Sequence, residues 1–109
     1  MTTTALTTAA MRQYFMLVSD QNEEFANKMV EHTINESAER KSYTLKGKDV
    51  LKIARETGAD ISRYFYPGDL EVFEMDVHRH PITKDIVGVV VHDSPRGYRV
   101  IAWQKEGVT

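Results

Sequence analysis

The stretch 86-IVGVVVHDSPRGYRVIAWQ-104 holds two runs of β-branched and aromatic residues, 86–92 and 98–104, on either side of 94-SPRG-97. Pro at the second position of that tetrad and Gly at the fourth suit a type I turn followed by a left-handed glycine, which closes a bulged β-hairpin. Setting Ser94 opposite Tyr98 across the turn places Asp93 opposite Arg99, Val91 opposite Ile101 and Val89 opposite Trp103. One face then gathers Val87, Val89, Val91, Ile101 and Trp103, with the Asp–Arg pair at its rim. Trp103 is thereby assigned to the core.

Working outward, 70-LEVFEMDVHRH-80 alternates with a period of two. Phe73, Met75 and Val77 point one way; Glu74, Asp76, His78 and His80 point the other. Pairing Val77 with Val87 across 81-PITKD-85 adds the first set to the apolar face of the hairpin. A one-residue slip would send every apolar side chain to the wrong side, so pattern and turn chemistry specify the faces together. The outer face carries Glu74, Asp76, His78, His80, Val90, His92, Tyr98, Val100 and Ala102.

Upstream, the period changes to that of a helix. Phe25, Ala26, Met29, Val30, Thr33, Ile34 and Ala38 form one apolar stripe. Asp20 is placed to cap it, with Glu23 three residues on as in a capping box, and Arg40-Lys41 close the end. A second helix is expected over 48-KDVLKIARET-57, with Gly58 as its left-handed cap. The run 42-SYTLKG-47 reads as a short strand or extended connector, and 60-DISRYFY-66 as a short turn ended by Pro67-Gly68. Residues 12–18, RQYFMLV, are of strand length and β-favouring composition, so a strand is expected there, preceded by a flexible lead-in over 1–10. The expected architecture is a small single α+β domain over 11–107. Its order is β-α-(β)-α-β-β-β, with helices packed on one face of an antiparallel C-terminal meander.

At 109 residues, 41% hydrophobic and 28% charged, the chain has material for one modest core. It has no cysteine, which excludes disulfides, thiolate metal sites and cysteine nucleophiles. The start of the sequence lacks a basic n-region, and no apolar run reaches the length of a membrane span. A cytoplasmic protein with no membrane partner is the expectation.

The histidines invite a metal or acid–base reading. His78 and His80 stand beside Asp76 at i,i+2 spacing, roughly 6–7 Å apart along one strand, whereas a metal needs three or four ligands converging on a point. The register above puts His92 near Val72, at the far end of the hairpin, and His32 lies on the first helix. No nucleophile with a paired base is recognisable. No cofactor, metal or catalytic residue is therefore expected.

Charge is zoned although the net value is only −2. Residues 20–39 are acidic; residues 40–63 are basic, and Lys48, Lys52 and Arg55 fall on one stripe of the second helix. Lys46, Lys48, Lys52, Arg55 and Arg63 make that segment the candidate nucleic-acid contact. A helix-turn-helix over 50–65 fits poorly, because its second helix would meet Pro67-Gly68 after one or two turns and offers Ile61, Tyr64, Phe65 and Tyr66 in place of a base-reading face. The adjacent aromatics Tyr64 and Tyr66, beside the rigid turn that includes Asp69, suit a protein interface better. The sequence thus predicts a non-enzymatic binding or regulatory protein, an inhibitor or accessory subunit. Its partner would be another protein or a second copy of itself, met through Tyr64, Tyr66, Asp69, Glu74, Asp76, His78 and His80. Nucleic-acid binding by residues 40–63 is the alternative.

Overall fold

In the computed structural model, which describes residues 3–92 and 97–103, the C-terminal meander is as its period requires. Strands β1 (Ser42–Lys46), β2 (Glu74–Arg79), β3 (Ile86–His92) and β4 (Tyr98–Trp103) form one antiparallel sheet in the order β1-β2-β3-β4. Helices α1 (Thr3–Val18), α2 (Glu23–Ser37) and α3 (Gly47–Thr57) lie on one face, and a single turn, α4 (Asp69–Val72), leads into β2. The fold is α+β. The run 42–46 is a strand, pairing Thr44 with Asp76 and Leu45 with Met75.

The first element departs from expectation: residues 12–18 are not a strand, and residues 3–10 are not a frayed lead-in but the first turns of α1. Thr7, Met11, Tyr14, Phe15 and Val18 are buried, the i, i+4, i+7 spacing of a helix, while Leu17 is 56% exposed. That period becomes visible only when the window reaches back past residue 10 into the Thr/Ala-rich run. Thr7 Oγ1 donates to the Ile86 carbonyl at 3.0 Å, tying α1 to β3.

Helix α1 ends where Ser19 Oγ donates to the Phe15 carbonyl (2.6 Å) and Gln21 N to the Met16 carbonyl (2.8 Å). Asp20 and Gln21 are both left-handed, at φ 56° and 67°. Asp20 therefore cannot cap α2. Asn22 takes that role, its side chain accepting from Phe25 N at 2.9 Å. The two helices form an antiparallel hairpin in which the Phe15 and Phe25 rings meet edge-on at 6.0 Å.

Helix α3 stops at Gly58, φ 68°, as expected. Its first residue, Gly47, is buried against the backbone of Leu70. A Cβ built there falls 2.7 Å from the Leu70 carbonyl carbon and closer still to its oxygen. Only glycine lets α3 and α4 approach this closely.

The inner face buries Leu45, Phe73, Met75, Val77, Val89 and Val91 against Met11, Phe15, Phe25 and Met29. Both hairpin registers are offset by two residues from the expected ones. Val77 pairs with Val89 rather than Val87, and Tyr98 with His92 rather than Ser94. A two-residue offset keeps each strand's parity, so the faces survive it. Residues 93–96, which hold the expected Asp93–Arg99 partner, lie outside the described residues; Arg99 pairs with Val91.

Two bulges alter the face assignments. One follows His78, where Arg79 pairs with Ile86 and Val87 is bypassed, so Ile86 fills the core in its place. The other lies in β4, where Val90 pairs with Val100 and Val89 with Ala102, leaving Ile101 as the extra residue. Trp103 is thereby set opposite Gly88 and is 56% exposed, not in the core.

Arg79 joins the two layers. Its guanidinium donates to Ser37 Oγ (Nε 3.1 Å, Nη2 3.0 Å), to the Ile34 carbonyl (3.2 Å) and to the Lys84 carbonyl (2.6 Å). A cation at the C-terminal end of α2 satisfies carbonyls the helix leaves unpaired and complements its dipole. Burial lowers this group from its ordinary pKa, with Asp85 opposing.

Candidate interaction face

The helices cover one side of the sheet; among the described residues, nothing covers the other. Its residues follow from the ladders: Thr44 and Lys46 on β1, Glu74, Asp76 and His78 on β2, Gly88, Val90 and His92 on β3, and Tyr98, Val100 and Trp103 on β4.

The face is divided across its width. On the β1–β2 half the carboxylates are bonded within the chain, one to a hydroxyl and one to a lysine. Thr44 Oγ1 donates to Asp76 Oδ1 at 2.7 Å, and Lys46 Nζ meets Glu74 Oε1 at 2.8 Å. On the β3–β4 half the surface is aromatic and aliphatic. His92 stacks on Tyr98 at 4.4 Å, with 27° between the rings, and Trp103 meets His78 edge-on at 5.6 Å. Tyr98, Val100 and Trp103 are 69%, 65% and 56% exposed, a ridge running the length of β4. Gly88 makes room for the indole: a Cβ there would lie 3.2 Å from Trp103 Cδ2 and closer to two other ring carbons. An aromatic laid over a cross-strand glycine shields backbone that would otherwise be bare.

Of the residues expected to bind a partner, this face unites Glu74, Asp76 and His78. His80 has left it: its Nδ1 accepts from the backbone N–H groups of Ile82 and Thr83 at 3.1 and 3.2 Å, shaping the turn to β3. Tyr64, Tyr66 and Asp69 belong to the helical layer instead. The Tyr64 ring lies edge-on to Tyr14 and Phe65, and its hydroxyl accepts from Arg99. Asp69 is buried, with its Oδ2 accepting from Tyr66 N at 2.9 Å, so its carboxylate builds the turn and does not face outward. Tyr66 is 63% exposed and borders an open apolar groove with Leu51, Ala54 and Leu70. The aromatic turn and the outer sheet face are separate surfaces.

The basic segment is likewise divided. Lys46 is paired on the sheet face, and Arg63 sits 3.5 Å from Asp20. Lys52 borders a groove between α2 and α3 together with Glu31, Asp49 and Glu56, while Arg55 lies on the Tyr66 side of α3. Acids interleave with the bases, so the potential along this ridge is mixed. In the same groove His32 Nε2 is buried, with no hydrogen-bond partner among the described residues.

Among the described residues no three His, Asp or Glu side chains converge to hold a metal ion, and no helix is long and apolar enough to cross a membrane. The alternation of YRVIAW alone does not place Trp103 on the outer face. The one signal for it was Gly88 within a valine run, which marks a bulge or a close approach. Comparison of the chain with models of protein families, with curated proteins and with solved structures returns no match.

Proposed function

We propose that this chain is a non-enzymatic binding module, a regulatory or accessory protein, that docks a partner protein on the outer face of its sheet. The supporting observation is the exposed ridge of Tyr98, Val100 and Trp103 beside the Glu74–Asp76–His78 strip. Tyrosine and tryptophan are enriched among the few residues that carry most of an interface's binding energy, and a rim of polar groups around them gives orientation. Asp76, bonded within the chain to the neutral Thr44 hydroxyl, favours a partner that presents a basic group opposite it and an apolar patch opposite the ridge.

The carboxylates of β2 argue against a nucleic acid here. Bases stacked on Tyr98 or Trp103 would bring phosphates toward Glu74 and Asp76, while Lys48, Lys52 and Arg55 sit on α3 in the other layer.

The test is affinity capture from the native host with the wild-type chain and three variants. Trp103→Ser and Asp76→Arg should each lose the captured protein, and Tyr66→Ala should retain it. Loss with Tyr66→Ala alone would move the site to the aromatic turn.

A further inference from the structure

The two edges of the sheet are not alike. β1 is bracketed by Lys41 and Lys46 and passes directly into α3 at Gly47, so little of it is free to pair. Lysines at an edge are a common guard against unwanted strand addition. β4, at the other edge, has neither lysine nor proline nor acid in YRVIAW. Its one charge, Arg99, is exposed but lies on the helix side of the sheet, over the rings of Tyr14 and Tyr64 at 5.5 and 5.8 Å from their centroids, and donates to the Tyr64 hydroxyl. Among the described residues, what β4 presents at its outer edge is backbone, flanked by the exposed Tyr98, Val100 and Trp103.

We infer that β4 pairs antiparallel with β4 of a second copy of this chain, about a two-fold axis at Val100, joining two four-stranded sheets into one of eight. The sequence is self-complementary in that register. Val100 faces Val100 of the copy and each Arg99 faces an Ile101, so like charges are not directly opposed; the two Arg99 lie diagonally, each held over its own Tyr14 and Tyr64 rings. The bulge at Ile101 twists the strand and keeps the ladder short, which makes this a small interface of the weak, reversible class. Edge pairing leaves both outer faces open and sets the two aromatic ridges side by side, so it is independent of the partner proposed above.

Sedimentation equilibrium on the purified chain, from low micromolar to about 1 mM, tests the inference. The mass should rise from 12.5 kDa toward twice that value. Val100→Lys, at a site already 65% exposed, should stay monomeric with an unchanged far-ultraviolet circular dichroism spectrum. Asp76→Arg, in the middle of the outer face, should dimerise as wild type does. The chain lacks cysteine, so Val100→Cys should give a disulfide-linked dimer on mild oxidation, because opposed strand residues lie within disulfide reach. Ile82→Cys, on the exposed turn, should not. A wild-type chain monomeric at every concentration overturns the inference, as does a Val100→Lys dimer. Loss of the dimer in Asp76→Arg would place the second copy across the face and overturn edge pairing. Loss of a captured partner in Asp76→Arg bears only on the function proposed above.

Discussion

Replacing Gly47 by alanine sets two opposing effects against each other. Alanine is the better helix former, and at an interior position the exchange would favour the fold by up to about 1 kcal/mol. Gly47 opens α3, where that gain is smaller, and its missing Cβ is what lets the Leu70 backbone approach. The added carbon would sit 2.7 Å from the Leu70 carbonyl carbon, about 0.8 Å inside the ~3.5 Å at which carbon atoms rest. The carbonyl oxygen is nearer still. The added Cβ is fixed by the α3 backbone and what it meets is Leu70 backbone, so no side chain can rotate away, and α4 must shift with the start of β2. Overpacking typically costs about 1–3 kcal/mol, and more where neither side can yield. The net loss is about 1–3 kcal/mol, a fall in melting temperature of roughly 5–20 °C for a domain of this size. Thermal and urea denaturation followed by circular dichroism would measure it. A Gly47→Ala chain that melts at or above the wild-type temperature refutes the close approach.

Three further perturbations separate local from global effects. Gly88→Ala collides with an exposed side chain, not backbone, so it should cost no more than about 1 kcal/mol while displacing the only tryptophan; an unshifted Trp103 emission spectrum would contradict the indole's seat. Arg79→Met keeps the apolar stem but removes the bonds to Ser37, Ile34 and Lys84, an expected loss of about 2–3 kcal/mol, with Arg79→Lys in between; a loss below about 0.5 kcal/mol would deny the link between sheet and helix. Asp60 accepts from both Ser62 N and Ser62 Oγ, and these bonds, before all else, hold its carboxyl below its ordinary value. A depressed carboxylate contributes stability above its unfolded pKa and loses it as pH falls through the folded value. Asp60→Asn should accordingly show a shallower loss of stability on the acid side in pH-dependent melts, and an unaltered acid limb would remove that role.

How much of this was legible in the sequence depends on the scale at which the signal lies. The faces of β2 and β3 could be read because period-two parity survives a register offset by two residues. Glu74, Asp76 and His78 were therefore placed together correctly. Trp103 was not, because a single extra residue at Ile101 reverses parity beyond it, and nothing in YRVIAW marks the bulge. Helix α2 announced itself over four turns. Helix α1 did not, since its densest seven residues look like a strand and its remaining period is carried by Thr7 and Met11 in an unassuming stretch. Asp69 resembled surface because aspartate after Pro-Gly usually is; its return bond to Tyr66 N is a property of the turn's three-dimensional path. The contact of Gly47 with Leu70 joins residues more than twenty apart in sequence and leaves no local trace.

The hydrogen bond from Thr7 to the Ile86 carbonyl has a consequence for how the chain is made. Synthesis runs from the N-terminus at several residues per second, so the α1–α2 hairpin is complete well before β3 exists. The two helices cover each other in part, through Phe15 and Phe25, but the side of α1 that rests on β3 and β4 in the finished fold has nothing to rest on. During those seconds the nascent chain exposes part of the stripe formed by Met11, Tyr14, Phe15 and Val18. The strands that bury it are synthesised more than sixty residues later. For the first helix, folding is a wait.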